Sequence, residues 1–456
     1  MKERWNTLLN PRRFRETTSK RNVLDYRNAF ENDYSRVILS PHVRRLQDKA
    51  QVFPMDKNDF IRTRLTHSVE VSTFAKGIGL GVENELIEHG KLDEKQRGSI
   101  CSILATAGFI HDLGNPPFGH YGEESIQQFF RNEQNRSNYC KDFTTEEIND
   151  FTNFDGNVQG FRILRKLGLS SDGFSYNLTY PTLASVIKYP KSSIEGNKKE
   201  SKKISYKKFG YFQSEKADFE EINNVLELNN NRHPLVFLLE AADDIAYSVS
   251  DIEDGCKKHI ITEELLMDTM TTELKNTNCE NFIGILDDIK KKIPSDFPQK
   301  LILLVQNFRI RVQSYMLLKA TETFLDRHDT ILSGEFDEDL ILASEASALR
   351  KAFKKLSIYN FQHESVLKME LVGEAAMSFL LNKFISSVLS AKRDDPKTKE
   401  SKFYELISPH YRYASKIDAY NNLNYKKIQL VLDYISGMTD SFALNLYHEL
   451  SGQIIK

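Results

Sequence analysis

The chain has 456 residues, of which 40% are hydrophobic and 28% are charged. This balance is typical of globular proteins, so it excludes a largely disordered chain, and the length favours two or three domains. The net charge of -2 gives no overall basic excess that would draw the protein onto nucleic acid, although 62 lysines and arginines still allow a local basic cluster.

Helical periodicity dominates the chain. Thr144 followed by Glu147 fits a capping box at a helix start. Apolar residues recur at intervals of three and four in three long segments, residues 235–252, 301–325 and 366–389. These patterns predict long helices and a mainly α-helical fold.

Strand-like alternation is confined to short runs. The clearest run, residues 204–212, predicts one half of a short β-hairpin. Two polar segments, residues 191–203 and 391–402, predict exposed loops. No repeat of solenoid period is visible, so we expect a globular arrangement of helices.

Cysteine usage and the N-terminal sequence indicate a cytoplasmic protein. The cysteines form no C-x-x-C pair, and scattered thiols are typical of a reducing compartment. The N-terminal residues are charged and contain no apolar core, so they do not resemble a signal peptide. We find no run of about 18 uncharged apolar residues and expect no membrane span.

Imidazoles and carboxylates occur in an order that suits one metal site. His111 and Asp112 follow a small apolar run that predicts a buried helix, and a Gly-Asn-Pro-Pro turn comes directly after them. His67 lies upstream, and Asp243 and Asp244 lie inside an apolar helical pattern. Each residue alone more often has a structural role, but a buried acidic pair is costly without a partner, which a metal would supply.

The chemistry of these ligands favours hydrolysis of a phosphate ester. Mixed nitrogen and oxygen ligands suit Mn, Fe, Co, Zn or Mg rather than calcium or a thiolate-bound metal. Such an ion polarises a phosphoryl oxygen and lowers the pKa of bound water. The chain contains neither a G-x-x-x-x-G-K-[ST] phosphate loop nor a G-x-S-x-G nucleophile elbow.

Six motifs resemble those of one family, the deoxynucleoside triphosphate triphosphohydrolases, or dGTPase-like enzymes, of the HD superfamily. The most specific is HDLGNPPFGHYGE at residues 111–123, because HD proteins in general share only the His and His-Asp elements. The other motifs are RRLQDKAQVF at 44–53, RTRLTHSVEV at 62–71, KKFGYFQSE at 207–215, EAADDIAYSVSDIEDG at 240–255 and DYISGMTD at 433–440.

The resemblance implies an HD-domain helical bundle with a divalent metal, Mn or Mg first and Fe, Co or Zn as alternatives. The implied metal ligands are His67, His111, Asp112 and Asp243. Asp243 is preferred to its neighbour because the family pattern has a tyrosine four residues later and an aspartate eight residues later.

The resemblance also assigns the residues that contact the substrate. Tyr247 would stack on the sugar and Asp251 would accept a hydrogen bond from its 3′-hydroxyl; positions i, i+4 and i+8 share one helix face. His120 and Glu123 match the catalytic pair. Triphosphate contacts fall on Arg64 and Lys188, and contacts with sugar and base fall on Gln51 and Val52.

The implied reaction is attack of water at the α-phosphorus of a dNTP, with dGTP favoured, giving a deoxynucleoside and tripolyphosphate. His120 would transfer a proton at the water or at the leaving 5′-oxygen. We expect residues 1–275 to form the catalytic region, including an N-terminal segment that contacts substrate. Residues 276–456 would form a helical region that packs on the active site and takes part in oligomer contacts.

Alternatives stay open from the sequence. One is another HD phosphohydrolase, such as a nucleotidase or a phosphodiesterase. The other is a catalytically silent nucleotide sensor or a binder of single-stranded nucleic acid. The resemblance further implies a homo-oligomer, often a hexamer in this family, and leaves open a nucleotide activator, nucleic-acid binding, the base preference and the physiological metal.

Overall fold

The computed structural model describes residues 2–15, 24–56, 58–168, 173–198, 201, 203–391, 395 and 397–453. These residues form twenty-two α-helices and no β-strand. The helices are α1 (Lys2–Leu8), α2 (Ala29–Ile38), α3 (Pro41–Arg45), α4 (Arg64–Glu88), α5 (Ser99–Ile110), α6 (His120–Arg131), α7 (Glu133–Tyr139), α8 (Thr145–Thr152), α9 (Gly156–Arg162), α10 (Tyr180–Val186), α11 (Lys216–Val225), α12 (Pro234–Lys257), α13 (Glu263–Leu274), α14 (Asn281–Lys292), α15 (Lys300–Asp326), α16 (His328–Ser333), α17 (Ser347–Phe361), α18 (Glu364–Ser390), α19 (Lys399–Leu406), α20 (Pro409–Ile417), α21 (Leu423–Ser436) and α22 (Asp440–Ser451).

The mainly α-helical fold is confirmed. Helices α12, α15 and α18 contain the three periodic segments that predicted long helices, and the capping box at Thr144 and Glu147 is present at the start of α8. Helix α12 is buried along most of its length and packs against α4, α5, α15 and α17. It is therefore the central helix around which the bundle is built.

Close packing of α5 against α4 brings the two histidines of the predicted site together. A Cβ atom at Gly108 would lie 2.8 Å from the Cα atom of Ser72, so only glycine allows this approach of the two helices. His111 follows the last residue of α5, and His67 lies in the first turn of α4. The helix contact therefore positions both imidazoles.

The main hydrophobic core joins the N-terminal and C-terminal parts of the chain. It contains apolar side chains from Trp5 through to Leu446, on both sides of residue 275. Helix α18 packs against α6, and α21 packs against α18. The division at residue 275 stays a prediction, and the two regions share one core.

The predicted β-hairpin is wrong. Residues Ile204–Tyr206 form a turn of 3-10 helix, and the described residues contain no strand. Gly210 packs directly on the backbone of Tyr189, and its N–H donates to the carbonyl of Lys191 at 3.0 Å. The segment is held by these tertiary contacts instead of by a partner strand.

The predicted polar loops are only partly described. Residues 199, 200, 202, 392–394 and 396 lie outside the described residues. The end of the second loop is helical, because α19 begins at Lys399.

By length and composition, α18 is apolar enough to cross a membrane, and half of its most apolar window is buried inside the protein. Core helices have the same properties, and Leu380, Leu381 and Phe384 of α18 are fully buried in the hydrophobic core.

Candidate active site

Three helices bring together His67, His111 and Asp243. Their ligand atoms all lie within 4.8 Å of one another. The Oδ1 atom of Asp243 is 3.1 Å from Nε2 of His67 and 3.5 Å from Nε2 of His111. Two imidazole nitrogens and a carboxylate oxygen thus converge on one point, an arrangement suited to a divalent transition metal.

The hydrogen bonding of His111 fits a metal ligand. Its Nδ1 atom lies 2.7 Å from the carbonyl oxygen of Gly108, and since a carbonyl only accepts, Nδ1 carries the proton. The buried Nε2 atom then presents its lone pair, and it has no hydrogen-bond partner among the described residues. A backbone carbonyl commonly fixes a ligating histidine in this tautomer.

Asp112 lies at the edge of this cluster. Its Oδ1 atom is 3.5 Å from Nε2 of His111 and accepts a hydrogen bond from the Asn115 side chain at 2.7 Å. Its Oδ2 atom accepts from Arg64 at 2.7 Å. Asp112 can complete the ligand set through Oδ1 while Oδ2 stays paired with Arg64.

The cluster carries ionised carboxylates. Burial raises the pKa of Asp112, but His111 and Arg64 outweigh burial and hold it well below its usual range. Burial likewise raises the pKa of Asp243, and His111 and Lys188 reverse this effect. For His111, burial lowers the pKa, but the two carboxylates raise it overall. Both carboxylates are therefore held in the ionised form that can ligate a metal.

Asp244 is paired elsewhere. Its carboxylate accepts from Arg350 at 2.9 and 3.1 Å, so it does not join the cluster of His67 and His111. The structure thus places Asp243, and not its neighbour, beside the two histidines.

The cluster opens into a cavity of about 690 Å³, which we name the central pocket. This volume is within the range of small-molecule sites, about 300–1,000 Å³. Ten of the predicted site residues line it: Gln51, Val52, Arg64, His67, Asp112, His120, Glu123, Lys188, Asp243 and Tyr247. The other two, His111 and Asp251, are buried outside the lining.

His120 and Glu123 form a hydrogen-bonded pair at the start of α6. The Nδ1 atom of His120 is 3.0 Å from Oε2 of Glu123, whose other oxygen accepts from the N–H of Gly156 at 2.7 Å. Glu123 is buried, whereas the His120 side chain is 81% exposed. The Glu123 carboxylate is therefore fixed by its surroundings, and the His120 imidazole is accessible to a substrate.

Backbone geometry sets the position of His120. Phe118 and Gly119 both have positive φ, 62° and 59°. A side chain at Gly119 would also bring a Cβ atom to 2.8 Å from the Arg64 guanidinium. This turn needs glycine, and it places His120 in the same pocket as Arg64.

Tyr247 and Asp251 lie one behind the other. Tyr247 lines the central pocket, and burial together with the Asp251 carboxylate raises its pKa. Asp251 is only 2% exposed and sits outside the lining. The predicted contact between Asp251 and a sugar hydroxyl stays a prediction.

Gln51 and Val52 form the wall near the N-terminal segment. The Oε1 atom of Gln51 is buried without a hydrogen-bond partner in the described part of the chain. An unpaired buried acceptor is costly, and a donor on a ligand would satisfy it.

Two cations of the central pocket were missed from the sequence. Lys207 and Lys208 line it, and Lys208 is paired with Asp155. Lys207 has no carboxylate within 4.0 Å among the residues described; burial and then nearby cations, Lys208 first, lower its pKa. The motif KKFGYFQSE was noticed at the sequence level, but nothing in its pattern indicated that its lysines face the pocket.

Comparisons with known proteins found one family model that matches part of the chain and several relatives that match nearly the full chain. A family model described as a phosphohydrolase-associated domain matches residues 406–449. Proteins named deoxyguanosinetriphosphate triphosphohydrolase-like are 40% identical in Listeria innocua, 34% in Synechocystis sp. and 31% in Pseudomonas aeruginosa. Each alignment covers 98% of this chain and 99% of the relative. The chain therefore belongs to the family of deoxyguanosinetriphosphate triphosphohydrolase-like proteins.

Proposed function

We propose that the protein hydrolyses deoxynucleoside triphosphates, dGTP first, to a deoxynucleoside and tripolyphosphate. The observation that carries this proposal concerns Nε2 of His111, which has no hydrogen-bond partner among the described residues. It faces His67 and Asp243, which line a pocket with several cations. The names of the relatives favour dGTP.

A divalent ion, Mn or Mg first, would be held by His67, His111, Asp112 and Asp243. Once bound, it would polarise a phosphoryl oxygen and lower the pKa of water. Arg64 pairs with Asp112 and Lys188 pairs with Asp243. Both cations would therefore lie beside the phosphate that reacts.

The rest of the triphosphate would extend toward Lys207. This ammonium group has no carboxylate partner among the residues described, unlike Lys208, which Asp155 neutralises. An anionic phosphate group would relieve the repulsion between Lys207 and its neighbouring cations. The tail would therefore lie on the Lys207 side of the central pocket.

Water attack at the α-phosphorus breaks the bond to the 5′-oxygen, so the water loses a proton and the 5′-oxygen gains one. His120 is the candidate for one of these transfers, since imidazole exchanges protons near neutral pH. Glu123 holds Nδ1 of His120 at 3.0 Å and leaves Nε2 for the reacting group.

The sugar would pack on Tyr247, with Gln51 supplying a hydrogen-bond acceptor and Val52 an apolar contact. Asp251 would fix the Tyr247 hydroxyl and reach the 3′-hydroxyl only after that contact opens.

The test is to incubate the full chain with each of the four dNTPs and with GTP, in Mn or Mg, and to separate the products by ion exchange. Deoxynucleoside with tripolyphosphate, lost in His111→Ala and kept in the exposed-site control His89→Ala, supports the proposal. Orthophosphate or pyrophosphate as the product would point to another HD phosphohydrolase. A mixture of dNTPs tests for an activating nucleotide. If nothing in this mixture were hydrolysed, a catalytically silent nucleotide sensor would be favoured.

A further inference from the structure

The carboxylate of Asp440 joins two walls of the central pocket. Its Oδ1 atom accepts the backbone N–H of Phe118 at 2.9 Å, and its Oδ2 atom accepts that of Ala50 at 2.9 Å. Both partners line the pocket, but Asp440 does not. Asp440 is buried, 2% exposed, and is the first residue of α22.

Lys49 makes the complementary connection. Its buried ammonium group donates to the carbonyl of Ser436 at 2.8 Å and to the carbonyl of Asn115. The segment 436–440 is therefore connected to the backbone at 49–50 and at 115–118. The Asp440 carboxylate accepts from both of these segments, and the Lys49 ammonium group donates to the carbonyls of Ser436 and Asn115. The opposite charges of Lys49 and Asp440 also reduce the cost of burying either one.

One of these contacts bears on a strained residue. Phe118 has a φ of 62°, a conformation that non-glycine residues adopt only when the surrounding structure enforces it. The hydrogen bond to Asp440 fixes its N–H, and α18 packs on its ring at Gly373, where a Cβ atom would lie 2.7 Å from Phe118 Cγ. The turn that leads into His120 is thus held from the C-terminal region.

We infer that Asp440 is a positioning residue, which sets the distance between the His120 turn and the wall formed by Gln51 and Val52. It acts through the backbones of Phe118 and Ala50 and touches neither the candidate metal ligands nor the substrate space. Its effect on catalysis rests on the proposed function. Asp440 lies in the segment that matches the phosphohydrolase-associated family model, residues 406–449, so this segment would have a specific task in the active site.

A carboxylate is the only natural side chain of this size that accepts two N–H groups on separate oxygens. In Asp440→Asn, an amide NH₂ replaces one oxygen and faces an N–H, so one of the two contacts is lost. Volume hardly changes, which keeps the bundle packed. The matched control is Asp33→Asn. Asp33 is also buried, accepts the N–H of Thr179 at 3.0 Å and pairs with Arg13, and it lies outside the pocket lining.

The first measurement is amide hydrogen exchange on the full-length wild type and both variants. The peptide that loses its contact in Asp440→Asn, 47–53 or 114–121, should exchange faster than in the wild type, and both peptides should exchange at the wild-type rate in Asp33→Asn. Unchanged exchange in both peptides of Asp440→Asn would overturn the inference. This readout needs no activity, so it separates failure of the inference from failure of the proposed function.

The second measurement is dGTP hydrolysis with Mn binding measured in parallel by calorimetry. We expect kcat/KM of Asp440→Asn to fall roughly tenfold to a hundredfold, because small misplacement of catalytic groups is costly. Its Mn affinity should match that of the wild type, since Asp440 contacts none of the four ligands. If kcat/KM of Asp33→Asn fell by the same factor at the same folded fraction, Asp440 would have only a structural role.

Discussion

The Nε2 atom of His111 lies 3.5 Å from Oδ1 of Asp243, too far for a good hydrogen bond, and no other described group satisfies it. The same carboxylate oxygen is 3.1 Å from Nε2 of His67. Two imidazole nitrogens and one carboxylate oxygen thus surround a common point, and among these three atoms only the His67–Asp243 pair is within hydrogen-bond distance. A cation at this point would satisfy all three, and stability should therefore respond to metal.

The first prediction concerns that response. Mn at 100 times its dissociation constant should raise the free energy of unfolding by about 2.7 kcal/mol, because it binds the native state. His111→Ala should remove this stabilisation, and His89→Ala should keep it. Thermal unfolding with and without Mn measures both. A wild-type protein that gains nothing from Mn, Mg, Fe, Co or Zn would contradict a metal site.

The second prediction separates His120 from the metal ligands. His120→Ala should lower kcat by about 10²–10⁴, the usual contribution of a general acid or base. Stabilisation by Mn should be unchanged, because His120 pairs with Glu123 and not with the cluster. Steady-state kinetics and Mn-dependent melting check the two halves. If His120→Ala lost both kcat and the stabilisation by Mn, His120 would belong to the metal site.

The third prediction concerns Lys207. Lys207→Ala should raise KM for dGTP about tenfold with a smaller change in kcat, as expected for a residue that binds the phosphate tail in ground and transition states alike. KM should also become less sensitive to salt. The control is Lys216→Ala, because Lys216 is exposed and outside the central pocket. Equal KM values in the two variants would remove Lys207 from the substrate site.

These residues show what the sequence could predict. Periodicity was sufficient for α12, α15 and α18, because each buries an apolar face along many turns. The grouping of His67, His111 and Asp243 was predicted from a resemblance in motif order. The distances between them could not be predicted, because they depend on the packing of α5 on α4. The contacts of Lys207 and Asp440 depend on segments far apart in the chain, and no local pattern encodes which backbone a side chain will meet.

The fourth prediction uses a buried carboxyl away from the site. Burial raises the pKa of Asp150 from 3.8 to about 7, although hydrogen bonds from Gln213 and Tyr425 oppose it. Between these two pKa values the folded state binds more protons than the unfolded state. Wild-type stability should therefore fall as pH rises from 5 to 8.

Asp150→Asn should make this fall shallower, because an amide does not titrate. The amide oxygen can still accept from both Gln213 and Tyr425, which share the Oδ2 atom in the wild type. Urea unfolding at pH 5 and pH 8 gives the comparison. A variant whose stability changes with pH as much as that of the wild type would show that Asp150 does not titrate in this range.

The last prediction tests the helix contact that builds the site. In Gly108→Ala the new Cβ atom would lie 2.8 Å from Cα of Ser72, a backbone atom that cannot turn away. Helices α4 and α5 must then separate, and overpacking of this kind costs about 1–3 kcal/mol. Because His67 lies in α4 and His111 directly follows α5, Mn affinity should fall together with stability.

The matched control is Gly284→Ala in α14, where a Cβ atom would meet nothing within 4 Å. There the same substitution should stabilise the protein by about 0.4–1 kcal/mol, because alanine restricts the unfolded chain and favours the helix. Opposite signs in the two variants, measured by urea unfolding with Mn titrations, would tie the metal site to the spacing of α4 and α5. If Gly108→Ala bound Mn as tightly as the wild type, the ligands would have to be held by contacts other than this helix pair.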